Sequence, residues 1–435
     1  MARGELAIAI PCLNEAKNLE VLLPQLQETI RHFAIPARLY VIDGGSQDNT
    51  AEVAKRFGAT PIRQRGTGYG GAIRTAIEDL DSEYLLTLDG DCSHPPALVN
   101  YLYQARADAD IVIASRYIPQ GYARMSWPRL VLSRALNKAF RYLLDLPIHD
   151  LSSGYRLYNR GAVAKLTLEM STYAILQEIL IKAYCDGYVI KEIPMHFFPR
   201  AHGQSHARLV SLAVDYLKTF RAMWRLRNGV ASADYDSRAF FSRIPLQRYW
   251  QRRRYSIILE YVGRALRVLD AGCGSTQLLN GLPHMVGMDP QLRKLRFMRT
   301  PGRRLVSGST FALPFRSEAF DAVISSQVIE HLAFDDTIFE ELARCVAPGG
   351  HLILGTVDYG SWQWPLIERI YGLVKPTGYA DEHITHYTRE GLFERLARMG
   401  FEVQDHQYIL GGEIIVKARK PSPASGRSLT GTRRS

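Results

Sequence analysis

Two acids one residue apart, Asp89-Gly90-Asp91, follow the apolar run Tyr84-Leu85-Leu86-Thr87-Leu88. An Asp-x-Asp leaving the carboxyl end of a strand can turn both carboxylates toward one ligand. Hard divalent cations take oxygen ligands, and Mg²⁺ is commonly held by one or two carboxylates together with phosphate oxygens. Asp89 and Asp91 therefore suit a metal–diphosphate site. A third acid, Asp43, closes Leu39-Tyr40-Val41-Ile42 and is followed by Gly44-Gly45. Much further on, Val268-Leu269-Asp270-Ala271-Gly272-Cys273-Gly274 ends an apolar run in a glycine-rich turn, where backbone amides can approach a ligand closely. Asp289 then closes Val286-Gly287-Met288, the place for an acid that accepts hydrogen bonds from ribose hydroxyls.

The elements that must position these groups alternate. Strands are expected at 6–10, 39–43, 84–88 and 110–114, with helical periods between them and a helix from about Ala16. This alternation predicts a doubly wound α/β sheet with ligands at the carboxyl ends of its strands. The pattern restarts at Arg267–Asp270 and continues through 285–289, 320–325 and 351–356. The expected organisation is two Rossmann-like α/β domains, 1–228 and 255–420. A basic linker, 229–254, joins them, and a disordered basic tail, 421–435, follows.

A chain of 435 residues exceeds one ordinary hydrophobic core. Its 46% apolar and 22% charged content excludes a disordered chain. No apolar run has the length of a membrane span, and Met-Ala-Arg-Gly-Glu passes into a strand without the look of a signal peptide. The five cysteines show neither metal-ligand nor disulfide spacing, which favours a reduced, cytoplasmic setting. The net charge of +11 concentrates between Lys218 and Arg254, where basic residues outnumber Asp234 and Asp236 several-fold. Such density suits phosphates of nucleotides or lipid headgroups. Nucleic acid is not an expected partner, since no recognition motif accompanies the charge. Apolar residues recur at three and four between Leu209 and Leu226. That helix either lies in a membrane interface, giving peripheral contact with the inner face of the membrane, or packs back on its own domain.

The segments Ile10–Glu15, Val41–Thr50 and Leu88–Pro96 resemble successive signatures of family 2 glycosyltransferases with the GT-A fold. Ala114–Tyr117, Asp150–Tyr158, Gln177-Glu178 and Pro199–His206 are similar to the polyprenyl-phosphate sugar synthases, of which dolichyl-phosphate mannose synthase is a member. The resemblance covers about residues 5–225. It implies that Pro11, Asn14, Glu15 and Asp43 line the base and ribose of a GDP- or UDP-sugar. Asp89 and Asp91 would hold Mg²⁺ or Mn²⁺ and the diphosphate, and Arg116, Arg156 and Arg200 would contact anionic groups of donor or acceptor. The chain departs from the family pattern at Gly44, where an Asp often follows Asp43, and at His206, where a Lys is usual.

A lipid phosphate is already an anionic nucleophile and needs no proton removed. Such a site must align it and stabilise the departing diphosphate. Inversion in a single displacement is the expected outcome. A hydroxyl acceptor would instead require a base, and Asp150 or Glu178 would be the candidates.

In the second half, Asp270–Gly274, Asp289, Ala312–Phe315, Phe320–Val323, Val328–Leu332, Ala347–Leu352 and His386–Thr388 resemble, in order, class I methyltransferases of the ubiquinone-biosynthesis type. This likeness spans about residues 255–418 and implies S-adenosylmethionine as cofactor. Asp270, Gly272, Gly274 and Asp289 would bind it, with Ser309 standing where an acid usually meets the adenine. Thr276 replaces the third glycine of the first motif. His331, His383 and His386 are candidate bases, His331 foremost. No Asn-Pro-Pro-Tyr signature is present, which leans toward an oxygen or carbon acceptor. The expected function is therefore bifunctional: sugar transfer to a polyprenyl phosphate or related lipid, and methyl transfer to a glycan, lipid or small molecule. The alternative is a glycosyltransferase with a hydroxyl acceptor whose C-terminal domain binds S-adenosylmethionine as a regulatory module.

Overall fold

The computed structural model describes residues 5–200, 209–374 and 383–422. The chain divides into two compact units between Arg227 and Asn228.

The first unit contains β1 (Leu6–Cys12), β2 (Ala37–Asp43), β3 (Thr60–Arg63), β4 (Tyr84–Thr87), β5 (Ile111–Ser115), β6 (Tyr122–Ala123), β7 (Arg156–Asn159), β8 (Ile190–Pro194) and β9 (His196–Phe197). Seven of them form a sheet in the order β3-β2-β1-β4-β7-β5-β8, and β6 pairs with β9 apart from it. Only β7 runs against its neighbours in that sheet. The period-two alternation of β1 sorts its side chains between two layers. Leu6, Ile8 and Ile10 pack with Leu19, Leu22, Leu23 and Leu26 of the helix Ala16–His32. Ala7 and Ala9 face Ala72, Ile73 and Ala76 of the helix Gly68–Asp79. Each fully buried Leu or Ile contributes about 1.5–3 kcal/mol. The register sets Asp43 opposite Cys12 and Thr87 opposite Ala9, so the chain leaves β2 and β4 at the same edge of the sheet.

The helix Leu209–Asn228 packs back on its own unit through its second half. Met223 joins the core, Phe220 meets Phe140 edge-on at 5.4 Å, and the buried Arg227 donates to the carbonyls of Leu144 and Asp145 at 3.0 Å each. Among the described residues, no helix is long and apolar enough to cross a membrane.

The second unit contains β10 (Val268–Ala271), β11 (Val286–Asp289), β12 (Arg304–Ser307), β13 (Phe320–Ser326), β14 (Val346–Val357), β15 (Glu402–Ile409) and β16 (Glu413–Arg419). Their order is β12-β11-β10-β13-β14-β16-β15, with β16 antiparallel to both neighbours. This is an open parallel sheet finished by a reversed hairpin. The segment 229–254, expected as a linker, lies within this unit. It supplies the helix Tyr235–Phe240 and the first half of Pro245–Val262. The second half of the latter buries Ile257, Ile258, Tyr261 and Val262 against Val268, Ile353 and Ile415, which anchors the whole helix to the sheet. Of the tail expected to be disordered, 423–435 falls outside the described residues.

Candidate active sites

The first site forms where the chain leaves β4. Asp91 accepts a hydrogen bond from the amide of Ser93 at 3.1 Å, and its other oxygen lies 3.1 Å from the Arg200 guanidinium. Asp89 accepts from the Tyr69 hydroxyl at 3.2 Å. Burial, and then the neighbouring Asp91 charge, raise the Asp89 carboxyl above its usual range. The buried His94 accepts the Asp89 amide on Nδ1 at 3.1 Å and holds Nε2 3.8 Å from Asp89 Oδ2. Burial lowers its pKa, so it stays neutral. Gly154 makes the Tyr69–Asp89 contact feasible: a Cβ there would stand 2.5 Å from the Tyr69 hydroxyl and 3.2 Å from Asp89. The two carboxylates fit a hard dication. They offer oxygen donors from one turn, and a cation would relieve the like-charge strain that raises Asp89.

Beside them the turns after β1 and β2 are cross-tied. Asp43 accepts from the amide and hydroxyl of Ser46, the Ser46 hydroxyl accepts the Asn14 amide at 2.9 Å, and Asn14 accepts the Gln47 amide at 2.8 Å. The Glu15 amide donates to Thr50 at 3.0 Å. Pro11 pairs with Ile42 in the β1–β2 ladder. The four residues expected around base and ribose are thus brought together.

Four of the expected residues are engaged by partners within the protein. Asp150 is fully buried and accepts Nε and Nη2 of Arg116 at 2.8 Å each, together with the amides of Arg116 and Ser153. Burial opposes its ionisation, but the Arg116 charge outweighs this and holds the carboxyl below its usual value. The carboxylate is thus already paired inside the protein. Arg116, expected at a ligand anion, spends its fork on Asp150 and Ser152. Glu178 is buried and accepts the amides of Glu169 and Met170 and the Lys182 ammonium at 2.7 Å, which closes a loop. Arg156 is fully buried and donates to the carbonyls of Leu176 and Leu151 at 2.7 Å each. Of the three arginines, Arg200 alone meets the Asp89–Asp91 turn. His206 lies outside the described residues.

The second site is a cavity of ≈ 520 Å³ in the second unit. One end is acidic. Asp270, at the close of β10, is pushed up to about 7 by burial and by the charges of Asp289 and Asp236. Asp289 accepts the Gly274 amide and the Gln291 amide at 2.8 Å each. Gly274 has a φ of +54°, and a Cβ there would stand 2.5 Å from Asp236, so the turn requires glycine. Asp236 accepts the Ser275 amide at 3.0 Å and pairs with Lys294 at 3.1 Å. This group of acids suits a ligand with positive charge, as S-adenosylmethionine carries on its sulfonium and ammonium groups.

Ser309, expected near the adenine, lies beside this cavity's lining. Its hydroxyl caps a tight turn by accepting the Phe311 amide at 3.2 Å, while the adjacent Thr310 lines the cavity. The cavity is also lined by His331, His383 and Trp364, and by Arg254 and Glu413, which pair at 2.6 Å. Asp236, Trp250 and Arg254 were hidden in the presumed linker. The signal that could have found them is the stripe Trp250, Arg254, Ile258 at successive fours, continuing into a buried helix end.

The chain thus has an N-terminal α/β unit with paired acids at a strand end and a C-terminal Rossmann-like unit. The family description "Glycosyl transferase family 2" matches residues 7–167, and "Methyltransferase domain" matches residues 269–354. The chain is 33% identical over 214 residues to a polyprenol monophosphomannose synthase of Mycolicibacterium smegmatis, an alignment covering 46% of this chain and 79% of that protein. It is 30% identical over 198 residues to glycosyltransferase AglJ of Haloferax volcanii, covering 45% and 64%. Among solved structures it is similar to glucosyl-3-phosphoglycerate synthase of Mycobacterium tuberculosis bound to Mn²⁺, UDP and glucosyl-3-phosphoglycerate (20% identity, 52% of this chain and 80% of that one, TM-score 0.41). It is also similar to an S-adenosylmethionine-dependent methyltransferase of Thermotoga maritima (21% identity, 40% and 93%, TM-score 0.33). The chain belongs to glycosyltransferase family 2, with the GT-A fold, and carries a class I methyltransferase domain behind it.

Proposed function

We propose that the first unit transfers a sugar from a GDP- or UDP-sugar to a polyprenyl phosphate, and that the second methylates a glycan, lipid or small molecule. The observation that carries the first part is the gathering of Asp89, Asp91 and Arg200 at one strand end, while both acids that could serve a hydroxyl acceptor as base are already engaged. The name of the Mycolicibacterium relative supports the same acceptor class. Asp89 and Asp91 would hold Mg²⁺ or Mn²⁺, which supplies positive charge to the diphosphate when bound. A phosphate oxygen of the lipid attacks the anomeric carbon as the bond from that carbon to the diphosphate oxygen breaks. Arg200 is placed to meet the leaving group's charge, and His94 and Tyr69 fix the orientation of Asp89.

In the second unit, S-adenosylmethionine would supply an electrophilic methyl group. Asp289 and the Gly272–Gly274 turn are placed to seat its adenosine, and Asp270 and Asp236 set a negative field suited to its cationic part.

The test is product analysis after incubation of the full chain with nucleotide-sugar, undecaprenyl phosphate and Mn²⁺. The expected product is a lipid-linked phosphosugar whose anomeric configuration, read by NMR, is opposite to the donor's. Retained configuration, or sugar attached only to a hydroxyl acceptor, would count against the reading.

A further inference from the structure

Beside the second unit's cavity, which His331 and His383 line, Glu330, His331 and His383 converge. One ligand atom from each lies within 4.8 Å of the others. Glu330 and His331 sit on the short turn that follows β13, and His383 arrives from a distant part of the chain. Backbone hydrogen bonds tie the two segments. The Glu330 carbonyl accepts the amides of Ile384 at 2.8 Å and Thr385 at 3.1 Å, and the Thr385 hydroxyl donates to the Leu332 carbonyl at 2.6 Å. The three side chains are thus held by a fixed frame rather than meeting on a loose surface. His383 is oriented from behind, since the Tyr359 hydroxyl lies 3.0 Å from its Nδ1 and also donates to Glu368 at 3.2 Å. Partners of this kind are what orient histidines that ligate a metal.

Glu330 makes the cluster more than a coincidence of polar residues. It is 0% exposed, and neither carboxylate oxygen makes a hydrogen bond of ordinary geometry, the Thr356 hydroxyl being a polar neighbour. A buried, unpartnered carboxylate costs several kcal/mol unless something neutralises it. A proton would neutralise Glu330 alone. A cation shared with the two imidazoles accounts for all three side chains at once.

We propose that Glu330, His331 and His383 form a three-ligand site for a divalent transition-metal ion. Two imidazoles and one carboxylate are the protein donors of catalytic zinc sites that keep an open position, and of ferrous sites of the same composition. Mg²⁺ and Ca²⁺ favour shells of oxygen alone and are selected against. The open position faces the cavity that also contains Asp270, Asp289 and Gly274. Resting on the methyltransferase reading, the ion binds a hydroxyl oxygen of the acceptor and lowers its pKa, so that its proton passes to water. That oxygen then forms a bond to the methyl carbon as the carbon–sulfur bond breaks, and the bonding pair remains on sulfur as a neutral thioether.

The experiment is a titration of the chelator-stripped full chain with Co²⁺ and Zn²⁺, in an Asp91→Asn background so that the first unit's acids do not contribute. Co²⁺ should enter with one-to-one stoichiometry and show the visible bands of a low-coordinate nitrogen–oxygen site, and Zn²⁺ should displace it. Glu330→Gln and His383→Ala should abolish the bands. Tyr359→Phe, which removes only the supporting hydroxyl, should weaken Co²⁺ binding roughly 10-fold. Near-ultraviolet circular dichroism shows whether each variant is folded. Absence of stoichiometric Co²⁺ in the folded parent, or unchanged bands in folded Glu330→Gln, would overturn the site. S-adenosylmethionine binding is measured separately by calorimetry. A chain that binds Co²⁺ but not S-adenosylmethionine sinks the methyltransferase reading and leaves the metal site standing.

Discussion

Replacing Asp150 separates a structural anion from a catalytic base. Its carboxylate is fully buried and takes two guanidinium hydrogen bonds of 2.8 Å from Arg116, itself 9% exposed. Removing one partner of such a pair leaves an uncompensated buried charge, at a cost of about 3–5 kcal/mol. Asp150→Asn should therefore lower the first unit's urea midpoint by about 2 M, taking a slope of ~2 kcal/mol/M. The transition can be followed by hydrogen exchange of peptides from residues 5–200, which isolates this unit. The double variant Arg116→Met/Asp150→Leu removes both charges and should recover most of the loss, because apolar replacements of buried pairs are often neutral or stabilising. Sugar transfer by the surviving folded fraction of Asp150→Asn should keep a near-normal kcat. An Asp150→Asn protein of undiminished stability whose kcat falls 100-fold would refute this reasoning and restore Asp150 as a base.

Three further outcomes follow from the geometry. Gly154→Ala would drive a methyl group into the Tyr69 hydroxyl, and a displacement of about 1 Å at Asp89 should lower kcat/KM for sugar transfer by about 100-fold, read by steady-state kinetics. Asp270, raised from 3.8 to about 7, binds its proton more tightly folded than unfolded. Its contribution is fully present below about pH 4 and is lost as pH rises through about 7, so Asp270→Asn should stabilise the ligand-free second unit at pH 8 by up to about 4 kcal/mol, and far less at pH 4.5, in calorimetric melts. Asp289→Ala strands the amides of Gly274 and Gln291, and should weaken S-adenosylmethionine at least 10-fold by calorimetry, since hydrogen bonds to charged groups are worth about 1.5–3 kcal/mol.

The strands that carry the sites were legible because their periodicity and their terminal acids coincide. β1, β2, β4, β10, β11 and β13 are apolar and interior to their sheets, and β2, β4, β10 and β11 run into a glycine or an acid. β3, β12 and β15 lie at or near sheet edges with one side relieved of burial, so their polar content hides them. β7 begins with Arg156, a charge that reads as surface until the carbonyls of Leu151 and Leu176 close around it. The same limit governed the site. Asp89 and Asp91 are neighbours in sequence, whereas the partners of Asp150 and Glu178 are set by tertiary contacts, Arg116 standing 34 residues from Asp150. The helix Pro245–Val262 was hidden by its arginines, because Arg252 and Arg253 face outward while Arg254 turns into the cavity. Ser309 and Thr310 differ by one position in a turn, a distinction that no periodicity carries.

The central claim, a metal-assisted transfer onto a lipid phosphate organised by Asp91, is tested most directly by one partition measurement. Radiolabelled GDP- or UDP-sugar is incubated with undecaprenyl phosphate and Mn²⁺, using the parent chain and its Asp91→Ala variant, and label in the organic phase is counted. The account predicts label extracted with the lipid by the parent and none above background by the variant. Equal label from both proteins, or donor consumed by the parent with no label in the lipid, would contradict it.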